Sequence, residues 1–582
     1  MENEKRENVL NLSLAVPVEE REKSEVLRTG FDFEESRWEV IIKYNGDILQ
    51  YEDEEIKIEV LINGYAIVNL PERRIEEFTG HSEVEYMEKP KAFFANGYAE
   101  NEASCILPVK SGENGLTGEG VLLAVIDSGI DYFRKDFQNE SGSRILYLWD
   151  QTLTDTGNSL GRTPEGFYEG LEFTKDEINR ALQAGSREAG LRLVPQQDRS
   201  GHGTAVAGIA GGSAETLLHR GVANGAEFII VKLKAADTSG FPGTCELMRG
   251  ITYAIRKAQE LKRPLVINLS YGNSYGSHDG TSLLERFLDN AAEINRSVIC
   301  VGSGNEGNAG GHAMGSFLKD TEVELTIGLY ETGTNVQLWK HYADEAELRL
   351  ISPGGETYLI EQNTGEANTI ETEYGRVLIF SGTPLPYSVN QEIFFAFIPN
   401  ETYLESGIWK FVFTPRKVAN GVYHMYLPGS SARNEGTRFT VSNPDITLTI
   451  PSTAKKVITV GAYNRELQAY ADFSGRGYPF EGNQVYIENG QKPDLVAPGV
   501  DIMAPSVGEG YRPVTGTSFA TPIVAGSCAL LMEWGIIKGN DAFLYGEKVK
   551  AYLQKGAEQM KGYAVYPNQY VGWGALCVQN SF

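Results

Sequence analysis

The hydrophobic pattern near the N-terminus is that of a small mixed unit. Roughly the first 30 residues are charged and aperiodic, which predicts an irregular arm. They precede two strand-like runs rich in Val and Ile, WEVIIKYNGD and IKIEVLINGYAIVNLP. A short helical run, ERRIEEFTGHS, and a further strand in VEYMEKPKAFF follow. This order predicts an α+β unit of about 70 residues.

From Gly118 the chain alternates apolar strands with helices. The runs VLLAVIDSGID, FIIVKL, PLVINLSYG and SVICVGSGNEG have no polar side, which is typical of parallel strands covered on both faces. Thr174 and Glu177 in FTKDEINRAL predict a capping box at the start of an intervening helix. The pattern therefore predicts an α/β fold, with a parallel sheet and helices on both of its faces.

Helical periodicity disappears between residues 312 and 446, where short strand candidates recur. Strands with turn signals at this spacing predict an inserted β-sandwich or jelly roll. The candidates are VELTIGLYE, ELRLISP, ETYLIEQ, RVLIFSG, IFFAFIP, GIWKFVFTP, GVYHMYLP and TRFTVS. Because the α/β pattern resumes with KKVITVGAYN, we predict four segments, namely 1–102, 103–311, 312–446 and 447–582, of which the second and fourth form one domain.

Charge and hydropathy exclude several classes of protein. Acidic residues outnumber basic ones by 78 to 52, a formal net charge of −26, so we expect neither a nucleic-acid nor a membrane partner. The N-terminus has no apolar run typical of a signal peptide, and no later run reaches the roughly 18 apolar residues of a spanning helix. We therefore expect cytoplasmic synthesis without Sec export.

The cysteines and isolated acidic residues do not predict a metal site. The five cysteines are scattered and lack CxxC spacing, so most are expected to be reduced, buried thiols; they are Cys105, Cys245, Cys300, Cys528 and Cys577. Asp131 and Asp198 are better explained as turn or cap residues than as cation ligands. No metal and no cofactor is expected.

Three segments place a reactive side chain at a strand end or a helix start. Asp127 ends the strand in VIDSGID, His202 lies between glycines in DRSGHGTAVAGI, and Ser518 follows a Gly-Thr pair in VTGTSFATPIVAG. A serine hydroxyl is a weak nucleophile until a base takes its proton, and the base needs a carboxylate to orient it. These three residues supply one of each.

A fourth residue completes the catalytic set. Asn305 in SGSGNEGN follows an apolar strand, and its amide could donate a hydrogen bond to a developing oxyanion. With the backbone N–H of Ser518 it would form a two-donor oxyanion hole, in which each donor lowers the barrier by about 3 kcal/mol.

The segments VIDSGID, GHGTAVAGI, SGNEGN and GTSFATPIVAG resemble, in that order, the motifs of the subtilisin-like serine proteases. The resemblance covers about residues 118–310 and 447–582. It implies an Asp127–His202–Ser518 triad with Asn305 in the oxyanion hole. It also implies that substrate binds as an extended strand along Thr238, Ser239 and Gly240. By the same resemblance, Ser270, Tyr271 and Gly272 line the primary specificity pocket, and Gly304 is a further substrate-binding residue.

The whole arrangement resembles a narrower group, the Csp proteases of clostridial spore germination. That resemblance implies that residues 1–102 are an arm and a prodomain. It further implies self-cleavage within AFFANGYAENEAS, after which the prodomain stays bound at the cleft as inhibitor or chaperone. A polypeptide substrate, such as a pro-enzyme activated during germination, and association with the spore are also implied.

Two other interpretations stay open. The first is a regulatory, pseudoprotease-like binding protein held closed by its prodomain, although the intact catalytic set counts against it. The second is a carbohydrate-binding module built on the aromatic residues of the insertion, such as Phe394, Trp409 and Phe411, which a packed sandwich core explains equally well. The histidines outside the triad are expected to be surface or hydrogen-bonded core residues; they are His81, His219, His278, His312, His341 and His424.

Overall fold

The structure is a computed structural model. It describes residues 5–6, 8–15, 18, 21, 30–33, 35–60, 64–89, 104–111, 115–155, 157, 159–214, 216, 219–235, 242–294, 296–362, 367–384, 388–479 and 491–582. The chain divides into two units, Met1–Ala95 and Asn96–Phe582. The boundary predicted at residues 102–103 lies outside the described residues and stays a prediction.

The first unit is built on a five-stranded antiparallel sheet. In chain order its elements are α1 (Asn8–Ala15), β1 (Phe31–Asp32), β2 (Arg37–Tyr44), β3 (Lys57–Val60), β4 (Tyr65–Pro71), α2 (Ile75–Gly80) and β5 (Val84–Glu88). The strand order is β1-β2-β4-β3, and β5 also pairs with β2. Alternate residues of β2, Trp38, Val40 and Ile42, are fully buried in the core of the unit, which confirms the predicted α+β content.

The arm that we predicted as irregular contains a helix, so that prediction was wrong for residues 8–15. Leu10 of α1 is fully buried in the core of the first unit, and Leu14, one turn later, packs against the same core. Further along the arm, Arg21 is buried and forms an ion pair with Glu72 at 2.5 Å. The helix is short, and its sequence NVLNLSLA alternates apolar and polar residues from Leu10 to Leu14, a period typical of strands, which explains why periodicity did not indicate a helix.

The first part of the second unit alternates strands and helices. Its elements are α3 (Leu107–Lys110), β6 (Leu122–Asp127), β7 (Gln138–Asn139), β8 (Gly142–Ser143), β9 (Ile145–Asp150), β10 (Leu171–Thr174), α4 (Lys175–Leu182), α5 (Arg187–Leu193), α6 (His202–Gly211), β11 (Glu227–Lys232), α7 (Thr244–Leu261), β12 (Leu265–Leu269), α8 (Leu283–Ala291) and β13 (Ser297–Gly302). The predicted capping box begins α4, where the Thr174 N–H donates to Glu177 at 2.7 Å.

Eleven strands then form two sheets. They are β14 (His312–Ser316), β15 (Thr321–Ile327), β16 (Thr334–His341), β17 (Glu345–Ile351), β18 (Thr357–Ile360), β19 (Ala367–Thr372), β20 (Gly375–Ser381), β21 (Asn390–Ile398), β22 (Gly407–Lys417), β23 (Val422–Tyr426) and β24 (Arg438–Phe439). The sheet orders are β14-β23-β16-β21-β20-β19 and β18-β17-β22-β15-β24. Pairs such as β14 with β23 and β15 with β22 are antiparallel, and the predicted jelly-roll connectivity stays a prediction.

The sandwich core lies between the two sheets. The Phe395 ring of β21 contacts the Phe411 ring of β22 at a centroid distance of 5.1 Å. Trp409 and Phe411 are 2% and 0% exposed, so these two rings pack in the core and offer no face to a carbohydrate. Of the three rings named for that interpretation, only Phe394 is partly exposed.

The chain returns to the α/β core with β25 (Ile458–Asn464), β26 (Ala469–Tyr470), β27 (Leu495–Pro498), β28 (Ile502–Pro505), β29 (Tyr511–Val514), α9 (Thr517–Met532) and α10 (Glu547–Gly556). The main sheet has the order β10-β9-β11-β6-β12-β13-β25-β26, with β27 also paired to β25. The strands β9, β11, β6, β12, β13, β25 and β27 pair in parallel, which confirms the predicted sheet.

Both faces of this sheet are buried. Leu123 and Val125 of β6 face the cluster that includes α6 and α9, while Leu122, Ala124 and Ile126 face the cluster that includes α7 and α8. Every residue of β6 is therefore buried. This explains why the strand is apolar at successive positions. The strand ends at the carboxyl edge of the sheet with the buried side chain of Asp127.

One helix among the described residues, Thr517–Ile537, is long and apolar enough to cross a membrane by length and composition. The prediction that no run reaches this length was therefore wrong. In the most apolar 18-residue stretch of this helix, 83% is buried inside the fold. It is the central helix of the α/β core, which is apolar all round because it packs against five strands of the sheet and against α6.

Two cysteines form a disulfide that the spacing did not predict. Cys105, near the start of the second unit, bonds to Cys577, 472 positions later in the sequence. Glu558 lies beside this pair, but both sulfurs are engaged in the disulfide bond. Cys300 of β13 and Cys528 of α9 are buried free thiols, as expected, whereas the free Cys245 is exposed.

Three histidine rings stack with Tyr426 where the sandwich meets the α/β core. The Tyr426 ring lies 3.9 Å from His278 of the core and 4.5 Å from His312 of β14, centroid to centroid. His312 Nε2 is 3.2 Å from His424 Nδ1. Burial lowers the pKa of His278 and of His424 to about 4, and it also lowers the pKa of His312 well below the ordinary value, so all three rings are neutral at pH 7.

We expect acid to weaken this junction. The unfolded chain binds protons at the ordinary histidine pKa near 6.5, whereas the folded rings bind them only near pH 4, so the free energy of unfolding falls as the pH falls through this window. The loss is on the order of 3 kcal/mol for each of His278 and His424 by pH 4. Denaturant unfolding at a series of pH values measures it.

The matched variants are His424→Gln, which removes one buried titrating ring, and His341→Gln, which removes a histidine elsewhere in the sandwich. The first should flatten the dependence of unfolding on pH between 6.5 and 4, and the second should not. Equal pH dependence in wild type and His424→Gln would contradict this prediction.

Candidate active site

The predicted triad residues lie at strand and helix ends on one edge of the parallel sheet. Asp127 is the last residue of β6, His202 is the first residue of α6, and Ser518 is the second residue of α9. His202 Nδ1 is 2.8 Å from Asp127 Oδ1, which also accepts a hydrogen bond from the Ser128 N–H at 2.7 Å. The structure thus brings the carboxylate and the imidazole together as predicted.

The start of α6 is held by Asp198. Its Oδ1 accepts from the Gly201 N–H at 2.9 Å, and its Oδ2 accepts from the Thr204 N–H at 2.8 Å. A Cβ on Gly203 would lie 2.2 Å from the Gly129 carbonyl oxygen, so only glycine allows the helix to approach the loop after Asp127 this closely. Asp198 therefore acts as a helix cap, the role preferred for it above a cation ligand.

The electrostatics of His202 suit a general base. Burial lowers the pKa of His202, but the charge and hydrogen bond of Asp127 raise it by more, with a smaller contribution from the Asp198 carboxylate. The net pKa lies above the ordinary histidine value. The ring is 26% exposed and is flanked by the rings of Tyr271 and Phe519, at 5.9 and 5.3 Å.

Ser518 is hydrogen-bonded to the end of β12. Its hydroxyl donates to the Ser270 carbonyl oxygen at 3.2 Å, and the Ser270 hydroxyl donates to the Ser518 carbonyl oxygen at 3.0 Å. In this structure the Ser518 hydroxyl is therefore bonded to Ser270 and not to the His202 imidazole. Catalytic hydrogen bonds often tighten only when substrate binds.

Asn305 is oriented by the residue before Ser518. Its Oδ1 accepts from the Thr517 N–H at 3.0 Å and from the Thr517 hydroxyl at 3.1 Å. Because the oxygen is occupied, the side chain presents Nδ2 as a donor. A Cβ on Gly516 would lie 3.4 Å from this Nδ2, and the φ of +148° there favours glycine. Sequence reasoning missed the role of Thr517.

The predicted substrate-binding residues fall into two groups. Ser270, Tyr271 and Gly272 follow β12, and Gly304 lies between β13 and Asn305, so these two segments form facing walls beside Ser518. Thr238, Ser239, Gly240 and most of the predicted cleavage segment AFFANGYAENEAS lie outside the described residues. The structure adds Thr449, which sequence reasoning missed, between the two walls.

Comparison with known proteins agrees with this architecture. The model of the Subtilase family matches residues 118–383 and 420–574, more than half of the chain. The chain belongs to the subtilase family. A second model, Csp protease B prodomain, matches residues 4–91 of this subtilase. Both predicted resemblances are thereby confirmed.

Individual relatives fit the same picture. The solved structure of the Clostridium perfringens CspB protease superposes with a TM-score of 0.75 at 34% identity, over 83% of this subtilase and 96% of that chain. Minor extracellular protease Vpr of Bacillus subtilis is 22% identical over 80% of this chain and 52% of its own length. Subtilisin E of Bacillus subtilis is 25% identical over 50% of this chain and 61% of its own length. Among the curated relatives it matches, the chain thus spans between about a quarter and three fifths of the relative's own length.

Proposed function

We propose that this subtilase is a serine endopeptidase that hydrolyses peptide bonds through an acyl-enzyme. The observation that carries the proposal is the 2.8 Å contact between Asp127 and His202, at the sheet edge where Ser518 begins α9. In this role Ser518 is the nucleophile and His202 is the general base. Asp127 stays ionised and stabilises the imidazolium.

The reaction follows from these positions. Ser518 Oγ attacks the carbonyl carbon of the substrate while His202 Nε2 takes the hydroxyl proton. The oxyanion is stabilised by Asn305 Nδ2 and by the Ser518 N–H, which lies in the first turn of α9 where N–H groups lack intrahelical partners. His202 then gives the proton to the leaving amine as the C–N bond breaks. Water, deprotonated by His202, hydrolyses the acyl-enzyme.

We further propose that the enzyme cleaves its own chain within AFFANGYAENEAS, and that the released prodomain stays bound at the cleft as inhibitor or chaperone. The match of residues 4–91 to the Csp protease B prodomain supports this. An extended segment would add to the cleft by backbone pairing with Thr238, Ser239 and Gly240 on one side and with the Ser270–Gly272 segment on the other.

We also propose a biological role for the enzyme. It would act in spore germination by activating a pro-enzyme, and it would be associated with the spore. This role is supported by the likeness to the Clostridium perfringens CspB protease. Detecting the chain with an antibody in fractionated spores and vegetative cells of its own organism tests it. Presence in vegetative cells alone would overturn the spore assignment.

A fluorophosphonate probe tests the enzymatic proposal against the alternative, a regulatory binding protein held closed by its prodomain. The probe phosphonylates a serine only when a base and an oxyanion hole activate it. We expect labelling of the wild-type protein, and none of Ser518→Ala or of heat-denatured wild type. Equal labelling of native wild type and Ser518→Ala would overturn the proposal, and absence of labelling in both would favour the binding protein.

The pH dependence of labelling checks the role of His202. The imidazole acts as a base only when neutral, and its pKa lies above the ordinary histidine value, so the labelling rate should rise with pH through a midpoint above about 6.5. Rates between pH 5 and 9 give the midpoint. A midpoint below that value would show that Asp127 does not set the basicity of His202.

A further inference from the structure

The two cleft walls enclose a slot that holds one side chain of the protein itself. A Cβ placed on Gly272 would lie 2.4 Å from Thr449 Oγ1, and a Cβ on Gly304 would lie 2.4 Å from Thr449 Cγ2. Contacts this close mean that the Thr449 side chain is packed directly between the two glycine backbones. It fills space that the two glycines leave open.

Thr449 is fixed in this position by the backbone on both sides. Its N–H donates to the Ser303 carbonyl at 3.0 Å on one wall. The next residue, Ile450, exchanges hydrogen bonds of 2.7 and 2.9 Å with Asn273 on the other wall. Thr449 is 6% exposed. These pairings fix the backbone of Thr449 between the two walls, and the close contacts with Gly272 and Gly304 confine its side chain there.

The slot lies beside the reacting atoms. The Ser270 carbonyl, which begins one wall, accepts the hydrogen bond of the Ser518 hydroxyl. Asn305, the predicted oxyanion donor, directly follows Gly304 on the other wall. The side chain next to a scissile carbonyl held between Ser518 and Asn305 would therefore enter this slot.

We infer that Thr449 is a specificity-determining residue, which makes the slot shallow and restricts the residue that supplies the scissile carbonyl to alanine, glycine or serine. The inference rests on the proposed endopeptidase function and names its substrate class. A larger side chain would have to displace Thr449, and forcing extra atoms into packed space is unfavourable. A single methylene in such a pocket changes kcat/KM by about 10- to 200-fold, so the selectivity should be easy to measure.

The same restriction applies to the proposed self-cleavage segment. This segment, AFFANGYAENEAS, contains both permitted and excluded residues. The bond should follow one of the small residues Ala92, Ala95, Gly97, Ala99, Ala103 or Ser104. It should not follow Phe93, Phe94 or Tyr98.

The test compares full-length wild type with Thr449→Gly, which empties the slot, and Thr449→Val, which keeps its volume and removes only the hydroxyl. Each protein is assayed on two peptides that differ only in having Ala or Phe before the cleaved bond. The wild type should prefer Ala by at least about tenfold, and Thr449→Gly should raise the relative rate on Phe by at least about tenfold. Thr449→Val should keep the wild-type ratio within about threefold, whatever its absolute rate.

Determining the new N-terminus of the self-cleaved wild type gives a second readout that does not depend on added peptides. A terminus that follows alanine, glycine or serine supports the inference, and one that follows any larger residue overturns it. Equal cleavage of the Ala and Phe peptides by the wild type, or an unchanged ratio in an active Thr449→Gly, would also overturn it. If the wild type cleaves neither peptide and stays whole, the proposed function fails first, and the inference with it.

Discussion

Ser518→Ala should lower kcat for peptide cleavage by about 10⁶-fold. The variant keeps the oxyanion donors and the cleft, so it should still bind substrate. It has no oxygen at this position to form the acyl-enzyme, however, so only slow attack by water remains. Single-turnover kinetics on a peptide with a small residue before the cleaved bond would measure the loss.

Ser527→Ala is the matched control. Ser527 lies on the same helix, α9, where its buried hydroxyl donates to the Ile523 carbonyl at 2.8 Å, far along the helix from Ser518. This variant should keep kcat within about threefold of wild type, since it touches no reacting group. Cleavage by Ser518→Ala within a factor of ten of wild type would show that another residue is the nucleophile.

Asp127→Asn should lower kcat by about 10⁴-fold. The substitution keeps the size of the side chain but removes the negative charge that stabilises the imidazolium in the transition state. It should also lower the pKa of His202, because the Asp127 charge is the largest influence that raises it. The pH–rate profile of the variant would show the midpoint moving to lower pH.

Asp198→Asn separates this catalytic effect from a structural one. Asp198 also contacts the start of α6, but through the backbone N–H groups of Gly201 and Thr204. Asn keeps one acceptor oxygen but puts an NH2 group in place of the other, so one of these N–H groups loses its acceptor. The free energy of unfolding should fall by about 1 kcal/mol, with a much smaller fall in kcat than for Asp127→Asn. Equal losses of kcat in the two variants would mean that the Asp127 charge has no special role.

The parallel sheet and the positions of the candidate catalytic residues could be predicted from the sequence because each signal is local. The β6 strand is buried on both faces, so its apolar residues are continuous and its end is marked by Asp127. His202 and Ser518 follow glycine-rich turns that begin helices. Strand ends and helix starts meet at one edge of a parallel sheet, so local signals were sufficient to place the residues together.

Several strands of the sandwich could not be predicted because their residues are polar. The β16 strand, TNVQLWKH, is largely buried although it contains Gln337 and Lys340, since these side chains find partners inside the fold. The β19 strand, ANTIET, is the edge strand of its sheet and needs little apolar character. The third missed strand, β14, is short and contains a glycine. Periodicity indicates a strand only when one of its faces is apolar.

Long-range contacts were the other omission. The Cys105–Cys577 disulfide joins residues from opposite ends of the second unit, and no spacing rule connects them. Thr449 packs between the cleft walls, although the whole sandwich separates it from β13 in the sequence. Its position depends on how the chain re-enters the core, which a local pattern does not encode.

Intact mass spectrometry of the full-length protein beside Ser518→Ala tests the central claim most directly. If Asp127, His202, Asn305 and Ser518 form an active site, the wild type should split into two fragments at a bond within residues 92–105, while Ser518→Ala stays whole. If both proteins stay whole, or if both split at the same bond, the account of this chain as a self-cleaving serine endopeptidase is wrong.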